Sequence, residues 1–309
     1  MTDIRLSRRT LMAGAAALPV GAAIGTPALA GGHAGPKNAI QHSFAIGDFE
    51  VSTLLAGTRT VEDDPQGIFG MNVDADEFKS VSEANFIPSD KSQFFFTPTV
   101  VRTGSEIVLF DTGLNADGIT AALEQAGVAP ADVTIVVLTH MHGDHIGGLT
   151  NDAGEATFPN ARYVTGQVEY DHWAAAENER FDGKVRPLAE KMSFIGDGGE
   201  VVSGITGMAA FGHTPGHMGY MLESNGEQLF LMADLANHYV WSVAYPEWEV
   251  RFDMDKEAAA ASRKRVLGMA AADRFPIVGY HMPFPGVGYI TTEGPGAFHY
   301  VPATYQLML

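Results

Sequence analysis

Residues 140–145 read His-Met-His-Gly-Asp-His, and this six-residue stretch indicates both the chemistry and the fold of the chain. Three imidazoles and one carboxylate form the ligand set that a borderline metal such as zinc prefers. His140 and His142 stand two residues apart, so in extended chain they project to the same side. The intervening glycine allows a turn that directs Asp144 and His145 to a second position. We therefore interpret the stretch as a metal site rather than as a histidine-rich surface loop.

The segments before this stretch predict an α/β sheet that ends at the histidines. Val133–Leu138 is a continuous apolar run, typical of a strand buried on both faces, and it ends just before His140. In α/β proteins the loops after such strands carry functional residues. Upstream, residues 44–55 alternate apolar and polar side chains, which predicts one strand. Residues 60–93 are rich in Asp, Pro, Gly and Ser, which predicts a mostly irregular flap with a short helix near residues 75–81.

Three further candidate ligands follow apolar runs later in the chain. His217 ends the turn Gly-His-Thr-Pro-Gly-His at residues 212–217, while Asp234 and His281 each come directly after an apolar strand. A charged Asp in that setting is unfavourable unless it is paired, and a bound cation is a natural partner. Taken singly, each histidine has a structural alternative, as a hydrogen-bonded core residue. Together with the first stretch, the set favours a metal site.

The order His-x-His-x-Asp-His, then His, Asp and His, resembles the metallo-β-lactamase superfamily from about Phe44 to the C-terminus. The resemblance implies an α/β fold of the αββα sandwich type, with two divalent ions, zinc first among them, at the edge between two sheets. The family pattern uses only the second histidine of the 212–217 turn, so His213 is predicted to be structural. The implied ligands are His140, His142 and His217 for one ion, and Asp144, His145 and His281 for the other, with Asp234 bridging both.

Within the superfamily, the chain is similar to methyl parathion hydrolases and their lactonase-like relatives. The likeness rests on Ala233-Asp234-Leu235, on the Ala-rich helix 256–272, on residues 281–288 and on the tail 298–305. True β-lactamases lack the bridging Asp, and glyoxalase II thioesterases carry a C-terminal helical domain, so both are retained only as alternatives. Acyl-homoserine lactonases place a tyrosine three residues after the bridging Asp. Here that position and the next two are Asn237, His238 and Tyr239, and the sequence leaves open which of them assists catalysis.

The implied chemistry is hydrolysis by a hydroxide shared between two ions, with Asp144 or Asp234 taking up the proton. Phe94, Trp173 and Phe284 are predicted to line an apolar substrate pocket. Such a pocket suits small neutral lactones and carboxylic esters, with phosphotriester (organophosphate) hydrolysis as a weaker activity. The alternative from another class is a non-catalytic periplasmic metal-binding protein.

Two more residues are assigned by their sequence context. Asp111 is predicted to orient a ligand imidazole, a role that metal-bound histidines usually need filled. The basic run Arg263-Lys264-Arg265 is predicted to be a solvated helix face, because the chain carries a net charge of −18. That charge repels phosphate backbones and anionic lipid surfaces, so nucleic acid is excluded as a partner. The chain has no cysteine, which excludes disulfides and leaves imidazole, carboxylate and water as metal ligands.

The N-terminus reads as a twin-arginine export signal. Arg8 and Arg9 precede an apolar Ala/Gly-rich stretch, and Ala28-Leu29-Ala30 offers a cleavage site. Prolines and glycines interrupt the apolar stretch, which favours a leader over a membrane anchor. We therefore expect a leader at residues 1–30, a short segment at 31–43 and one hydrolase domain at 44–309. The twin-arginine machinery would deliver the protein to the periplasm or the medium; the oligomeric state stays open, a homodimer included.

Overall fold

The computed structural model describes residues 41–292, 294 and 296–303. The predicted leader, most of the 31–43 segment and the last six residues lie outside this part of the chain. In chain order the described strands are β1 (Gln41–Ile46), β2 (Phe49–Leu54), β3 (Gly57–Val61), β4 (Ser92–Phe96), β5 (Thr99–Arg102), β6 (Ile107–Phe110), β7 (Ile135–Leu138), β8 (Arg162–Gly166), β9 (Met192–Ile195), β10 (Glu200–Val202), β11 (Ile205–Ala209), β12 (Met218–Ser224), β13 (Glu227–Ala233), β14 (Ile277–Gly279), β15 (Val287–Thr292) and β16 (Phe298–Pro302). The α-helices are α1 (Ala75–Ala84), α2 (Ala116–Gln125), α3 (Gly143–Ile146), α4 (Gln167–Ala175), α5 (Glu179–Lys184) and α6 (Lys256–Asp273).

The strands form two seven-stranded sheets and one small hairpin sheet. The first large sheet has the order β1-β2-β5-β6-β7-β8-β9, the second the order β10-β11-β12-β13-β14-β15-β16, and β3 pairs with β4. In the first sheet β6 to β9 run parallel, and in the second only the β13–β14 pair is parallel. Each large sheet is contiguous in sequence, so the chain passes from one to the other once, at residues 196–199.

Apolar side chains from both sheets meet in one buried layer. Val51 and Val137 from the first sheet pack in the same cluster as Tyr220 and Leu231 from the second. The outer face of the first sheet is covered by α2, α4 and α5, and that of the second by α6. The αββα sandwich implied by the sequence is therefore confirmed.

The prediction of one strand over residues 44–55 was wrong. The segment is a hairpin in which β1 pairs antiparallel with β2, and β1 already begins at Gln41. Gly47 forms the turn with φ of 54°, a left-handed conformation that favours glycine. A Cβ on Gly47 would also lie 2.3 Å from the carbonyl oxygen of Ser224, which packs against the turn. Alternating polarity could not reveal this break, because it continues on both sides of the turn.

The predicted flap contains more structure than its composition suggests. The helix expected near residues 75–81 is confirmed as the longer α1, and β3 and β4 pair at the two ends of the flap. Phe69 and Phe78 of the flap pack with Trp241 and Trp248 in a separate aromatic cluster. The flap is thereby fixed against the segment between β13 and α6. Among the described helices, none has both the length and the apolar character that a membrane span requires.

The basic run on α6 is only partly a solvated face. Lys264 and Arg265 are exposed as predicted, but Arg263 is completely buried. Its guanidinium contacts the carboxylate of Asp253 at 2.7 Å and donates to the carbonyl oxygen of Pro246 at 2.8 Å. Helical periodicity places Arg263 on the inner side of α6, which the run of three basic residues concealed.

Candidate metal centre

Loops from both sheets bring seven ligand-type side chains to one edge of the sandwich. Four follow β7 of the first sheet, one lies in the loop between β11 and β12, and the last two follow β13 and β14. In that order they are His140, His142, Asp144 and His145, then His213, then Asp234 and His281.

The side-chain nitrogens and oxygens of these residues lie within a few ångströms of one another. His142 Nδ1 lies 3.1 Å from His140 Nε2 and 2.9 Å from His213 Nε2. On the other side of the cluster, His281 Nε2 lies 3.3 Å from Asp144 Oδ2. Three groups have ligand atoms within 4.8 Å of one another: His140, His142 and His213; His140, His145 and Asp234; and Asp144, His145 and His281.

The assignment of His217 is corrected by the structure, which places His213 in the cluster instead. Both ring nitrogens of His217 are already engaged, because Nδ1 lies 3.1 Å from the carbonyl oxygen of Ala210 and Nε2 accepts the backbone N–H of Asp234 at 3.1 Å. His213 Nε2 faces Asp234 Oδ2 at 3.3 Å. The turn thus presents its first histidine to the cluster and uses its second to hold the backbone of Asp234.

The contact between His145 and Asp234 tests whether these residues fit a cation. His145 Nδ1 donates to the carboxylate of Asp111 at 2.8 Å, so a neutral His145 has a bare lone pair at Nε2. That atom faces Asp234 Oδ1 at 3.2 Å, and both atoms are buried without a hydrogen-bond partner in the described residues. Two facing lone pairs repel unless a proton or a metal ion lies between them. Without metal, burial lowers the pKa of His145, but the carboxylates of Asp234 and Asp111 raise it above its ordinary value. The donor set therefore fits a divalent cation.

The outer ring nitrogens of three cluster histidines are held by fixed acceptors. Asp111 accepts from His145, which confirms its predicted orienting role. Asp253 Oδ1 lies 3.0 Å from His213 Nδ1, and the carbonyl oxygen of Phe95 lies 2.8 Å from His281 Nδ1. Such acceptors fix the tautomer so that the other nitrogen is free to bind metal.

In the metal-free protein, the histidines in closest contact with the carboxylate of Asp234 hold protons. Burial lowers the pKa of His213, but its hydrogen bonds to Asp234 and Asp253 raise the pKa to about 9. In the same way, burial lowers the pKa of His281, while the nearby carboxylates of Asp234 and Asp144 raise it to about 10. Burial and the neighbouring His213 instead lower the pKa of His142 to about 3. Protons therefore occupy one side of the cluster when no cation does.

Two non-glycine residues beside the cluster have left-handed backbone conformations. Ala233 has φ of 48° and Asp111 has φ of 60°. Such conformations are unfavourable for residues with a Cβ and concentrate at functional sites. Ala233 ends β13 and immediately precedes Asp234, so its turn directs the carboxylate out of the strand and into the cluster.

A cavity of about 510 Å³ opens beside His281. Asn237, the position where acyl-homoserine lactonases have a tyrosine, donates to Asp234 Oδ2 at 2.9 Å. Of the two residues after it, His238 stacks on Trp241 at 4.0 Å between ring centroids, and its Nδ1 accepts backbone N–H groups. The described residues that line the cavity are Thr60, Glu62, Phe86, Ile87, Pro88, Lys91, Ser92, Gln93, Phe95, His238, Tyr239, Trp241, His281 and Pro283.

Of the three predicted pocket residues, Phe284 lines a cavity, whereas Phe94 and Trp173 are buried beside cluster histidines. Phe94 is buried, and its ring meets His281 edge-on at 5.5 Å between centroids, so it supports the histidine rather than lining the cavity. Trp173 is likewise buried and lies 6.0 Å from the ring of His142. Phe284 lines a second, more apolar cavity of about 590 Å³, which shares Tyr239 and Pro283 with the first. The first cavity is lined by Phe95 and by His238, one of the three residues whose part in catalysis the sequence left open.

A sequence profile of the metallo-β-lactamase superfamily matches residues 97–279. The chain belongs to the metallo-β-lactamase superfamily. The solved structure of AidC, a dizinc quorum-quenching lactonase in complex with a product, is similar to this superfamily member with a TM-score of 0.78 and 26% identity, over 85% of this chain and 97% of that one. The hydrolase AbOPH shares the fold, with a TM-score of 0.80 and 22% identity over 87% and 99% of the two chains.

Sequence relatives within the superfamily include lactonases. The N-acyl homoserine lactonase of Bacillus cereus is 29% identical over 163 residues, which are 52% of this chain and 60% of the relative. The match therefore covers about three fifths of that relative's length. The predicted superfamily and its lactonase relatives are confirmed, while the likeness to methyl parathion hydrolases stays a prediction.

Proposed function

We propose that this protein is a two-metal hydrolase of small neutral lactones and carboxylic esters. The observation that carries the proposal is the contact of His145 Nε2 with Asp234 Oδ1, two buried atoms without a hydrogen-bond partner among the described residues, within a group of seven converging ligand side chains. The similarity to the dizinc lactonase AidC and to the lactonase of Bacillus cereus supports both the metal and the substrate class.

The proposed centre would hold two divalent ions, with zinc as the first choice. Asp234 would contribute to the binding of both, because Oδ1 faces His145 while Oδ2 faces His213 and His281 at 3.3 and 3.2 Å. When bound, the ions supply an activated water nucleophile at neutral pH and a Lewis acid for the acyl oxygen of the substrate. The three-histidine site would consist of His140, His142 and His213, and the second site of Asp144, His145 and His281.

Among the carboxylates, Asp144 is the better proton acceptor. The side chain of Asp234 is 4% exposed and its Oδ2 is occupied by Asn237, whereas the side chain of Asp144 is 24% exposed. The carboxylate of Asp144 would therefore take the proton from the attacking water and return it to the leaving alkoxide. Asn237, by donating to Asp234, keeps that carboxylate fixed during the exchange.

The cavities support a neutral substrate with an apolar substituent. The cavity beside His281 would take the reacting ring or ester group, and the more apolar second cavity behind Tyr239 and Pro283 would take an alkyl chain. A chain of net charge −18 repels anionic substrates, which favours uncharged lactones and esters. Phosphotriesters also present an oxygen to a metal, and we propose them as weaker substrates.

The test is a substrate panel on protein loaded with zinc, manganese or cobalt. Lactones, aryl esters and phosphotriesters are assayed with the wild type, with Asp144→Asn and with the exposed matched control Asp152→Asn. We expect kcat/KM to fall about 100-fold or more in Asp144→Asn, in the range usual for a lost general base, and to stay unchanged in the control. A metal-loaded wild type without turnover on any of these classes contradicts the proposal and favours a metal-binding protein. A tenfold preference for phosphotriesters would reverse the ranking.

We also propose that the protein is exported in folded form by the twin-arginine route. The support is the Arg8-Arg9 pair, the apolar stretch after it and the small residues at Ala28 and Ala30. Export fits a large cysteine-free domain, whose stability rests on its core.

A further inference from the structure

Glu169 of α4 is a fully buried carboxylate without a cationic partner in the described residues. Its Oε1 accepts the backbone N–H of Met141 at 2.9 Å and the indole N–H of Trp173 at 2.7 Å. Its Oε2 accepts the hydroxyl of Thr214 at 2.7 Å and the backbone N–H of Gly216 at 3.0 Å. A buried carboxylate is unfavourable unless donors surround it, and here four do.

Three of these four donors come from the loops that supply the three-histidine site, and the fourth, Trp173, lies on α4 itself. Met141 stands between His140 and His142, and Thr214 directly follows His213. One carboxylate therefore links the loop after β7, in the first sheet, to the loop before β12, in the second.

Close packing fixes this link as well as hydrogen bonding does. A Cβ on Gly216 would lie 2.1 Å from the backbone nitrogen of Glu169, so the turn and the start of α4 touch without an intervening side chain. Trp173, which also donates to Glu169, lies beside the ring of His142. Neither loop can shift relative to the other without breaking these contacts.

The partners of Glu169 require an acceptor oxygen on each side of the side-chain carbon. The N–H groups of Met141, Gly216 and Trp173 point in fixed directions and cannot accept a hydrogen bond. In Glu169→Gln, the side-chain NH₂ group would face a fixed N–H donor in either orientation of the amide: those of Met141 and Trp173 in one, or that of Gly216 in the other. A buried donor without an acceptor destabilises the arrangement that contains it.

We propose that Glu169 is a positioning residue that sets the spacing of His140, His142 and His213, and so controls the affinity of one of the two ions. The inference rests on the two-ion centre proposed above. The second site is held by other acceptors that Glu169 does not contact, since Asp111 holds His145 and the carbonyl oxygen of Phe95 holds His281. Loss of the carboxylate should therefore lower the affinity for the ion of the three-histidine site and leave the affinity for the other ion unchanged.

The experiment measures zinc affinity of the full chain by competition with a chromophoric chelator, and ligand geometry from the visible spectrum of the cobalt-loaded protein. The variants are Glu169→Gln and, as the control, Glu177→Gln, an exposed residue just after α4. We expect Glu169→Gln to keep one ion at wild-type affinity and to lose about 10- to 100-fold in affinity for the other, with an altered cobalt spectrum. The control should match the wild type.

Trp173→Phe covers the case in which Glu169→Gln does not fold. It removes one of the four donors and leaves the carboxylate, so we expect a smaller loss at the same ion. The proposal is contradicted if Glu169→Gln binds both ions with wild-type affinity. It is also contradicted if a folded variant, Glu169→Gln or Trp173→Phe, loses affinity for both ions equally. A wild type that binds a single ion also contradicts it. Because no substrate is involved, a lack of lactone or ester turnover would contradict the proposed function alone.

Discussion

His213 and His217 stand four residues apart in one turn, and they have different roles because their side chains contact different groups. His213 directs Nε2 toward Asp234 Oδ2 and is held from behind by Asp253. His217 is equally buried, but its Nε2 is used by the backbone N–H of Asp234. One histidine thus contacts the carboxylate of Asp234, and the other fixes the backbone that presents it.

Substitution of these two histidines should therefore have different effects. We expect His213→Ala to lose one metal equivalent, and His217→Ala to keep both ions while losing about 1–3 kcal/mol of unfolding free energy through a broken buried hydrogen bond. Elemental analysis and urea unfolding measure the two quantities. Equal metal loss in both variants would contradict the corrected assignment.

Metal binding at neutral pH should release protons. Without metal, the pKa values of about 9 at His213 and about 10 at His281 keep both rings protonated at pH 7, and ligation requires them neutral. We expect the observed enthalpy of zinc binding at pH 7 to depend on the ionisation enthalpy of the buffer, and the affinity to fall as the pH is lowered. Titration calorimetry in two buffers measures the number of protons, and a value of zero contradicts this account.

The same raised pKa values set the pH dependence of the metal-free protein. A pKa raised above the unfolded value contributes stability that is complete below about pH 6.5 and is lost as the pH rises through the folded value. The metal-free protein should therefore unfold at lower urea concentration at pH 10 than at pH 6. The zinc-loaded protein, whose ligand histidines are already neutral, should show a smaller change.

At the residue scale, the sequence predicted six of the seven clustered side chains. The stretch 140–145 and the strand-end residues Asp234 and His281 were found because ligand spacing and strand ends are local features. The sequence did not predict that His213 rather than His217 joins the cluster. That difference depends on the hydrogen bond that the backbone N–H of Asp234, far away in the sequence, donates to His217. The sequence also left open which of Asn237, His238 and Tyr239 assists catalysis, because the position of His238 follows from stacking on the distant side chain of Trp241.

At the scale of elements, α6 is tied to the metal centre by a buried chain of charges. Arg263 contacts Asp253, and Asp253 in turn contacts His213. Arg263 also donates to the carbonyl oxygens of Pro246 and Trp248, so it holds the segment before α6. The helix thereby fixes the orientation of a candidate ligand that it does not itself carry.

Loss of Arg263 should be costly for that reason. We expect Arg263→Met to lower the unfolding free energy by about 3–5 kcal/mol, because it leaves the Asp253 carboxylate buried without its cation. The control is Lys264→Met on the same helix, whose exposed ion pair with Glu247 contributes at most about 1 kcal/mol. Urea unfolding of both variants measures the difference. A similar loss of unfolding free energy in both variants would show that the burial of the Arg263–Asp253 ion pair does not determine its contribution to stability.

Element prediction succeeded where the apolar pattern is strong. The runs that became β7, β13 and β14 and the Ala-rich α6 were located within a few residues. The short strands β9 and β10 were not predicted, because they are only 4 and 3 residues long and partly exposed, so that no periodicity distinguishes them. Strands β15 and β16 follow the last candidate ligand. β15 pairs with β14 on one side and with β16 on the other.

At the scale of the molecule, the proposed ions link the two sheets. His140, His142, Asp144 and His145 belong to the first half of the chain, and His213, Asp234 and His281 belong to the second. Ions that bind only the folded state stabilise it by about 4 kcal/mol at 1,000 times Kd. We expect chelation to lower the melting temperature measured by calorimetry, and zinc to restore it. Asp234→Asn should respond much less to either treatment, and an equal response would contradict the bridging assignment.

The export proposal has its own test. We expect the double substitution Arg8→Lys and Arg9→Lys to leave full-length precursor in the cytoplasm, because twin-arginine transport requires that pair. Immunoblots of cell fractions distinguish precursor from the form cut after Ala30. Mature protein outside the cytoplasm in the double variant would contradict the twin-arginine interpretation.

The single passage between the sheets, at residues 196–199, makes the protein a candidate for fragment complementation. A break there leaves each large sheet intact on its own polypeptide, with a complementary apolar inner face exposed for its partner. Four candidate ligands would travel with one polypeptide and three with the other, so neither would hold the complete centre. When the two polypeptides are expressed separately, zinc binding would therefore measure their association, because only the reassembled protein has the complete set of ligands.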